Sequence, residues 1–536
     1  MATNSKSTRN GKKCSSSKRR FIGKPAGIIQ ERVEKVGPTR FAVISVDCAK
    51  RRSKWMLCDF FGRVIIEPIE VEHQRGTLDA MIMRVNKACE AEGIVDSIVA
   101  VEMTGVYHRP IQKAFRKAGY DTRTIHPFAS AHYRETLHPD NKTDYNDLEA
   151  IFHAAINGYG LSLLPVDLTY QSLQRLSRHR RNLVRQRARL NVQIRVLMHQ
   201  AMPGYADLWE DDKLFHHSVA LPIAKHFSSS ESIKKAKQAG LAKHLRKNKI
   251  RFQERTLDKI YAWSLQAAEA DTLENLLTNQ WKQLLQLRDM LSEQIVQTER
   301  ESAHFLAKTP YILLLSIKGI NVISAAEYAG EAGPIEHYAS ATAINGRAGL
   351  YPSRYQSDEV DRSDSVAKSC NRRLRAACIL LAKNLIKCHP YYRGLSAVWS
   401  TRKISTQDRN CRMANRANRM VFQIVSGRQV WRGKGIDRDY LLLKLREFHR
   451  THGTSLDTTV ADMNEAFKWL PKGAYSDEAK PLAELARKKR RGAASIGDLL
   501  IPLLVRLGVR QETVVESSSS EAYGPHWLVI AAHAAH

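Results

Sequence analysis

The stretch FAVISVD (residues 41–47) sets the fold class of this chain, because it is an apolar run that ends in a carboxylate. Two further runs follow it closely, SKWMLCDF (residues 53–60) and FGRVIIEPIEV (residues 61–71), with a glycine at the turn between them. Short runs that are rich in β-branched and aromatic residues and are joined by tight turns predict antiparallel strands. We therefore expect a three-stranded meander to begin at Phe41.

Beyond the meander the pattern becomes an alternation of helix and strand. Residues 76–91 carry apolar side chains at helical spacing, SIVAVEMTG (residues 97–105) predicts a buried strand, and residues 109–119 predict a second helix. YDTRTIHP (residues 120–127) predicts another strand, and KTDYNDLEAI (residues 142–151) opens a further helix. The resulting order, βββαβαβα, is that of the ribonuclease-H-like fold, a mixed sheet covered by helices.

Four carboxylates occupy distinctive positions in this predicted fold. Asp47 ends the first strand and Glu102 ends the fourth, so the two acids should meet at one end of the sheet. Asp144 and Asp147 are three residues apart and share a helix face, with Cβ atoms about 5–6 Å apart. Carboxylates gathered in this way repel one another and raise one another's pKa values unless a cation neutralises them. The set therefore predicts a site for hard divalent ions such as Mg²⁺, which prefer oxygen ligands.

Each acid also has a simpler interpretation. Asp47 and Glu102 can be polar strand ends, and Asp144 and Asp147 can be first-turn residues that stabilise the positive end of the helix dipole. The four positions taken together favour the metal site. Two ions roughly 4 Å apart could stabilise the entering and leaving oxygens of a phosphodiester displacement.

The charge distribution indicates a partner that is a polyanion. The chain has a net charge of +30 and a pI near 9.8. Eight arginines and no acid lie within residues 168–201, and 15 basic residues face Asp408 alone within residues 368–432. Clustered Lys and Arg of this kind are typical of nucleic-acid binding. An acidic membrane is the alternative, but no run of about 18 apolar residues supports it. The eight cysteines occur singly, which favours a reducing compartment, the cytoplasm.

The rest of the chain predicts helices. Leu176, Leu183, Leu190 and Leu197 recur every seven residues in a long helix over 168–201, and a second amphipathic helix covers 271–306. The sequence IKGI (residues 317–320) resembles the turn of a helix–hairpin–helix, which can present backbone N–H groups to phosphates. The predicted organisation is a flexible basic arm (1–40), a mixed-sheet domain (41–160), a helical coiled-coil connector (161–306), a mostly helical second domain (307–435) and an unassigned helical extension (436–536).

The acidic motifs and a distal block of sequence resemble a known family. VDCAK (residues 46–50), VEMTG (residues 101–105) and KTDYNDLEAI are similar to the RuvC-like domain of the DEDD-type transposases of bacterial insertion sequences, the IS110 family, and to the related Piv-type DNA invertases. LLSIKGINVISAAEYAGEAG (residues 314–333), ASATAINGRAGLYPSRYQSDE (residues 339–359) and NRRLRAACILLA (residues 371–382) resemble the family's second transposase domain. The likeness covers about residues 41–399.

The resemblance implies a composite active site. It places Mg²⁺ or Mn²⁺ on Asp47, Glu102, Asp144 and Asp147, and a nucleophilic serine at Ser357, after the GLYP turn. The acids and the serine would meet in one site, which subunits can share, so a homodimer or homotetramer is expected. Many relatives carry two glycines after this serine where this chain has Asp358 and Glu359, and Ser353 is the neighbouring alternative.

The resemblance also implies the partners. They are double-stranded DNA, at the element ends and at the target, and a structured guide RNA, in a bacterial cytoplasm and associated with the nucleoid. The arginines predicted to bind nucleic acid lie on the long helix and after the serine turn, or they form solvated charged faces. They are Arg178, Arg181, Arg185, Arg189, Arg372, Arg373 and Arg375.

Three functions fit these patterns. The first is a transposase in which Ser357 attacks a phosphodiester and forms a transient phosphoserine link, so that strands can be rejoined without ATP. The second is a RuvC-like, structure-selective nuclease that uses metal-activated water. The third is a non-catalytic nucleic-acid-binding protein on a ribonuclease-H-like scaffold. Only the first predicts a protein–DNA adduct, whereas the third predicts that Asp47→Ala leaves DNA binding intact and that no metal-dependent strand breakage appears.

Overall fold

The computed structural model describes residues 29–162, 167–210, 213–357, 360–367, 370–402, 404–431 and 440–471. The chain divides into two compact units, Met1–Pro165 and Val166–His536. The first unit contains a mixed α/β domain, and the second contains helices and one β-hairpin. The predicted fold class, a ribonuclease-H-like domain followed by a mostly helical region, is confirmed.

A six-stranded mixed sheet forms the centre of the first unit, in the order β3-β2-β1-β4-β5-β6. Strands β1, β2 and β3 are antiparallel neighbours, β4 and β5 run parallel to β1, and the short β6 is antiparallel to β5. Because β1 lies centrally and is covered on both faces, every residue of it except Asp47 is buried. The strands are β1 (Phe41–Cys48), β2 (Arg52–Asp59), β3 (Val64–Glu72), β4 (Asp96–Glu102), β5 (Asp121–Ile125) and β6 (Leu161–Ser162).

Helices cover both faces of this sheet. Successive residues of a strand point to opposite faces, so β1 contributes Val43 to one apolar layer and Ile44 to the other. The first layer is completed by α1, α4 and α5, and the second by α2 and α3. The helices are α1 (Gln30–Val36), α2 (Arg75–Ala91), α3 (His108–Lys117), α4 (Pro127–Leu137) and α5 (Asp144–Ile156).

The prediction of a flexible arm over residues 1–40 is wrong for residues 29–40. Residues 29–40 fold onto the sheet, because Ile29 and Val33 pack in its core. Arg32 holds them there, with its Nε 2.8 Å from an Asp96 oxygen and its Nη1 2.5 Å from an Asp121 oxygen. Residues 1–28 of the predicted arm lie outside the described residues.

Two long helices, α6 (Leu168–Ala201) and α11 (Glu274–Ala307), form an antiparallel pair at the start of the second unit. The direction follows from their side-chain contacts, in which Arg180 bonds Glu299 while Arg288, further back along α11, bonds Asn191, further along α6. Both helices were predicted to within a few residues. Of the four leucines at seven-residue intervals, only Leu183 is fully buried, so the burial of α6 does not follow a regular heptad.

The region between these helices is a compact helical subdomain rather than part of a coiled coil. It contains α7 (Lys213–His216), α8 (Ala220–Phe227), α9 (Ser230–Lys247) and α10 (Glu254–Gln266). Its core includes Phe215, Ile223, Leu245 and Ile260, which surround Trp281 of α11. The predicted connector therefore holds a hydrophobic core of its own.

The remaining helices share one large core. A 3₁₀ helix (Pro310–Ser316) and the Gly319 turn lead into α12 (Val322–Ala332), and Lys444 donates to the Ile317 and Ile320 carbonyls of that turn. Strands β7 (Pro352–Ser357) and β8 (Val360–Val366) form an antiparallel hairpin. The other helices are α13 (Ala341–Ala348), α14 (Arg372–Cys388), α15 (Pro390–Thr401), α16 (Thr406–Ser426), α17 (Tyr440–Thr451) and α18 (Leu456–Phe467).

The predicted domain boundary at residue 435 is not a boundary in the core. Leu441, Leu445 and Met463 are buried in the same cluster as residues of α12 and α14. Asp462, which is fully buried on α18, accepts a hydrogen bond of 2.6 Å from His304 of α11. Helices α17 and α18 are thus part of the second unit, and residues 472–536 lie outside the described residues. No helix in the described ranges is long and apolar enough to cross a bilayer.

Gly330 marks the closest approach of α6 and α12. A Cβ at this position would lie 2.7 Å from the backbone nitrogen of Gln174 and 2.7 Å from the carbonyl carbon of Leu173. Gly330→Ala should therefore push the helices apart and lower the free energy of unfolding by about 1–3 kcal/mol, measured by denaturant titration. Gly346→Ala is the control, because its Cβ meets nothing within 4 Å on exposed α13, and it should be neutral or stabilise by up to about 1 kcal/mol. Equal losses from both variants would contradict the close-crossing explanation.

Candidate active site

Asp47 and Glu102 lie side by side at one end of the central sheet. Strands β1 and β4 pair in parallel with Val46 opposite Val101, so the next residue of each strand is one of the two acids. Both strands are buried up to this point, and both acids are only partly exposed. The carboxyl ends of these two parallel strands thus present a pair of carboxylates at the rim of a hydrophobic core, as the sequence predicted.

Asp144 and Asp147 lie in the first turn of α5. Thr143 caps this helix, because its hydroxyl accepts a hydrogen bond of 3.1 Å from the Asn146 backbone N–H. Asp147 is buried, whereas Asp144 is exposed. Helix α5 packs on the sheet through Leu148 and Ile151, which brings its N-terminal turn towards the ends of the central strands.

Burial and the charges of neighbouring acids change the pKa values of the two carboxylates at the strand ends, Asp47 and Glu102. Burial, followed by the negative charges of Asp147 and Asp144, raises the pKa of Asp47 above its ordinary value. Burial and the charge of Asp47 raise the pKa of Glu102, and the Ser130 hydroxyl partly offsets this by donating to it. The carboxylates therefore lie close enough to disfavour one another's ionisation, which is what a cation site requires before its cation binds.

Two basic side chains offset part of this repulsion. Lys54, which pairs with Asp47 across β1 and β2, forms an ion pair with Asp144. The Arg134 Nη1 lies 2.7 Å from an oxygen of Asp147. Neither residue was predicted from the sequence. Lys54 carried a signal, because it is the one cation in the predicted strand SKWMLCDF (residues 53–60), but Arg134 lies on α4, a helix that was not predicted.

The donor set fits a hard divalent ion in its chemistry. All four groups are carboxylates, and their mutual repulsion would be relieved by Mg²⁺ or Mn²⁺. In the described part of the chain, no three His, Cys, Asp or Glu side chains are already arranged as a metal site. Lys54 and Arg134 are the present partners of Asp144 and Asp147. For Asp144 to bind a metal ion through the same oxygen, its ion pair with Lys54 would have to break.

Glu102 allows a test of this repulsion without metal. Because its folded pKa is raised, the stability it contributes is complete below the unfolded pKa and is lost as the pH rises through the folded pKa. In EDTA, Glu102→Gln should therefore raise the Tm at pH 7.5 by about 2–4 °C, with the difference vanishing near pH 4. Thermal melts from pH 4 to 8 measure this, and Glu90→Gln on exposed α2 should shift the Tm by less than about 1 °C. A Glu102→Gln protein that is less stable than wild type at pH 7.5 would contradict the assignment.

Ser357 is the last residue of β7, and its backbone pairs with Val360 across the hairpin. Ser353 lies on the same strand, and Asp358 and Glu359 lie outside the described residues. The base of the hairpin is held by Arg375 of α14, which donates to the Ala348 carbonyl at 2.9 Å and to the Ala367 carbonyl on the other side. Arg375 was predicted to bind nucleic acid, but the structure gives its donors to the hairpin, and it is a positioning residue for the strand that carries Ser357.

The predicted arginines of α6 divide into two pairs. Arg178 forms a two-pronged ion pair with buried Glu331, at 2.8 and 2.9 Å, and Arg181 bonds buried Glu327 at 2.9 Å. These two arginines join α6 to α12, so their predicted contact with nucleic acid competes with a structural role. Arg185 and Arg189 are exposed and form no ion pair within the described ranges. The same is true of Arg372 and Arg373 at the start of α14. Contact with nucleic acid stays a prediction for these four.

Two family models match the chain, in the order in which its two units occur. A DEDD-type IS110 model described as a transposase matches residues 44–203, which include all four acids, and a model described as the transposase IS116/IS110/IS902 family matches residues 311–396, which include Ser357. No curated protein matches the chain. The first match covers the ribonuclease-H-like sheet from residue 44 onward, including the acids at its end. The chain belongs to the IS110 family of DEDD transposases.

Proposed function

We propose that this DNA transposase recombines its element by attack of the Ser357 hydroxyl on a DNA phosphodiester, with Mg²⁺ or Mn²⁺ held by Asp47, Glu102, Asp144 and Asp147. The observation that supports the metal site is the meeting of half-buried Asp47 and Glu102 with the first turn of α5. The family membership supports the transfer of DNA strands, and the position of Ser357 at the end of β7 supports its role as nucleophile.

The chemistry divides into two transfers. The Ser357 oxygen forms a bond to phosphorus while the bond to the departing sugar oxygen breaks, and that oxygen takes up a proton. A sugar hydroxyl of the second strand then attacks the phosphoserine, which restores a phosphodiester and returns the serine hydroxyl. A divalent ion held by Asp47, Glu102, Asp144 and Asp147 would supply charge stabilisation of the phosphoryl oxygens and would favour loss of the attacking proton. Each transfer breaks one phosphate ester bond and forms another, so no ATP is needed.

The residues of this chain have separate roles in that proposal. The four acids bind the cation, and the raised pKa values of Asp47 and Glu102 support a place where a cation would relieve repulsion between carboxylates. Lys54 neutralises Asp144 in the metal-free state and releases it on loading, while Arg134 keeps Asp147 oriented. Arg375 positions the serine hairpin. Exposed Arg372 and Arg373, which follow that hairpin, are placed to hold phosphates in the proposed complex.

We also propose a structured RNA as guide and a homodimer or homotetramer as the active form. The first unit carries the acids and the second carries the serine, and a shared site between subunits would bring both kinds of group together. A structure-selective nuclease remains the second candidate, because Asp358 and Glu359 follow Ser357 and would repel a phosphate beside its hydroxyl.

The experiment that tests the proposal uses the full chain with end-labelled element DNA, the transcribed noncoding RNA beside the gene, and Mg²⁺. Recombined strands that pass through a protein-linked intermediate, and that need both RNA and metal, are the expected result. Protein-free cut ends without joining would support the nuclease instead. Joining that is unchanged by omission of the RNA would remove the guide from the proposal.

A further inference from the structure

The subdomain α7–α10 lies between the regions that the two family models match, residues 44–203 and 311–396. It nevertheless has a well-defined core, in which Leu214, Ile223 and Leu245 pack with Trp281 of α11. The subdomain α7–α10 therefore folds around its own core between α6 and α11. Its outer surface has no role in the strand-transfer chemistry described above.

That surface is strongly basic. Residues 234–255 contain nine Lys and Arg residues against Glu254 as the one acid. All nine are exposed, and only Lys234 forms an ion pair within the described ranges, to Glu231 at 3.8 Å. The nine are Lys234, Lys235, Lys237, Lys243, Arg246, Lys247, Lys249, Arg251 and Arg255.

The cations of two helices converge at one point of this surface. His226 at the end of α8 stacks on His244 of α9, with ring centroids 3.9 Å apart and an angle of 17° between the rings. After burial, the charges of His226 and Lys247 lower the pKa of His244. Lys225 and Lys243 adjoin the two histidines in sequence and are exposed. None of these four side chains forms an ion pair within the described ranges, so an anion between them would relieve their mutual repulsion.

Part of this charge has a simpler explanation. Both α8 and α9 carry their basic residues in the last turn, where cations favour the negative end of the helix dipole. That effect accounts for one or two cations at each helix end and fades within a turn. It does not account for Lys249 and Arg251, which lie beyond α9, or for Lys234 and Lys235 near its beginning.

We propose that the basic cluster, defined as Lys225, His226, Lys243, His244, Arg246 and Lys247, binds the sugar–phosphate backbone of duplex nucleic acid. Further exposed cations flank the cluster, Lys234 and Lys235 near the beginning of α9 and Lys249 and Arg251 beyond its end, and charge spread in this way fits a polymer with regularly spaced phosphates rather than a small anion. Its composition is mostly lysine, a point charge that neutralises phosphates without reading bases.

The cluster goes beyond the serine chemistry and does not depend on it. It would add a sequence-independent grip on nucleic acid that lies outside the active site. Phosphates of DNA and RNA carry the same charge, so both a DNA duplex and an RNA duplex are used in the test. The duplex whose affinity falls in the variant is the one that the cluster binds.

The chain offers a matched control for this test. Lys113, Arg116 and Lys117 of exposed α3 have the same residue types at the same spacing as Lys243, Arg246 and Lys247 of α9. The two alanine triples remove the same charge, so any general electrostatic effect is common to both. Conservative Lys243→Arg/Lys247→Arg keeps the charge and should keep the binding.

The measurement is fluorescence anisotropy of a mixed-sequence 30-base-pair duplex, DNA or RNA, with the full chain in EDTA over a series of salt concentrations. The α9 triple should weaken binding about 10-fold or more and reduce the slope of log Kd against log salt by about 2–3, because each phosphate contact contributes about 0.9. The α3 triple should change Kd less than about 2-fold. Equal effects of the two triples, or no effect of the α9 triple on either duplex, would overturn the proposal. The measurement is made in EDTA and reports binding alone. A negative result would therefore contradict the basic-cluster proposal without bearing on the serine chemistry.

Discussion

Ser357→Ala should lower recombination by a factor on the order of 10³ or more, because the variant has no oxygen at the position that forms the phosphoserine bond. The same change should remove every protein–DNA adduct when reactions are stopped with detergent and separated on denaturing gels. Binding of element DNA should stay within about 2-fold, since a single hydroxyl contributes little to contact with a polyanion. The expected signature is thus a protein that binds DNA normally but does not attack it.

Ser353→Ala is the matched control, since Ser353 lies on the same strand, β7, and its substitution is chemically identical. It should leave adduct formation and recombination near wild type. Adducts that persist in Ser357→Ala and disappear in Ser353→Ala would move the nucleophile by four positions. Persistence in both variants, together with metal-dependent cutting, would favour the nuclease.

Asp47→Asn is the second change with a large expected effect. Asn keeps the shape of the side chain but removes the charge that a divalent ion needs, and Asp47 lies at the centre of the proposed ligand set, beside Glu102. Strand transfer should fall by a factor on the order of 10²–10³ or more, as expected when a principal electrostatic group is removed from an active site. Timed reactions at several Mg²⁺ concentrations measure this.

A binding measurement separates metal loss from misfolding. If Mg²⁺ binds only the folded wild type, a concentration 100 times its Kd should stabilise the protein by about 2.7 kcal/mol, seen as a rise in Tm. In EDTA, Asp47→Asn should melt at or above the wild-type Tm, because it removes the same kind of repulsion as Glu102→Gln, and it should lose the rise with Mg²⁺. Asp79→Asn on exposed α2, the control, should keep both the rise and the activity. A Mg²⁺-dependent rise in Tm that survives in Asp47→Asn would rule out Asp47 as a ligand.

The sequence predicted the sheet well because its strands are decided by local patterns. The run from Phe41 to Asp47 has the β-branched composition of a central strand, and Gly62 marks the turn before β3. The strand ends carried the acids, so the positions of Asp47 and Glu102 followed from topology alone. Helices α6 and α11 followed from their length and apolar periodicity.

The missed features all depend on partners that are distant in sequence. Helix α1 is short and polar, and Arg32 stabilises it through Asp96 and Asp121 of two strands. Helices α17 and α18 look like an extension in sequence, but Leu441 and Met463 complete a core that begins at Tyr170. Arg178 looked like a phosphate contact until its partner, buried Glu331, was seen 153 residues away.

By itself, therefore, the sequence determined the class of fold, the family, and the end of the sheet at which the acids lie. Those properties follow from residue order and periodicity, which act over a few residues at a time. Only the tertiary structure decided which charges are free, because a lysine or arginine is available to phosphate or substrate only if no buried carboxylate holds it. In the folded protein, Arg178 and Arg181 pair with buried glutamates of α12. Lys54 and Arg134 pair with Asp144 and Asp147, and the lysines and Arg246 of the basic cluster on α8 and α9 stay exposed.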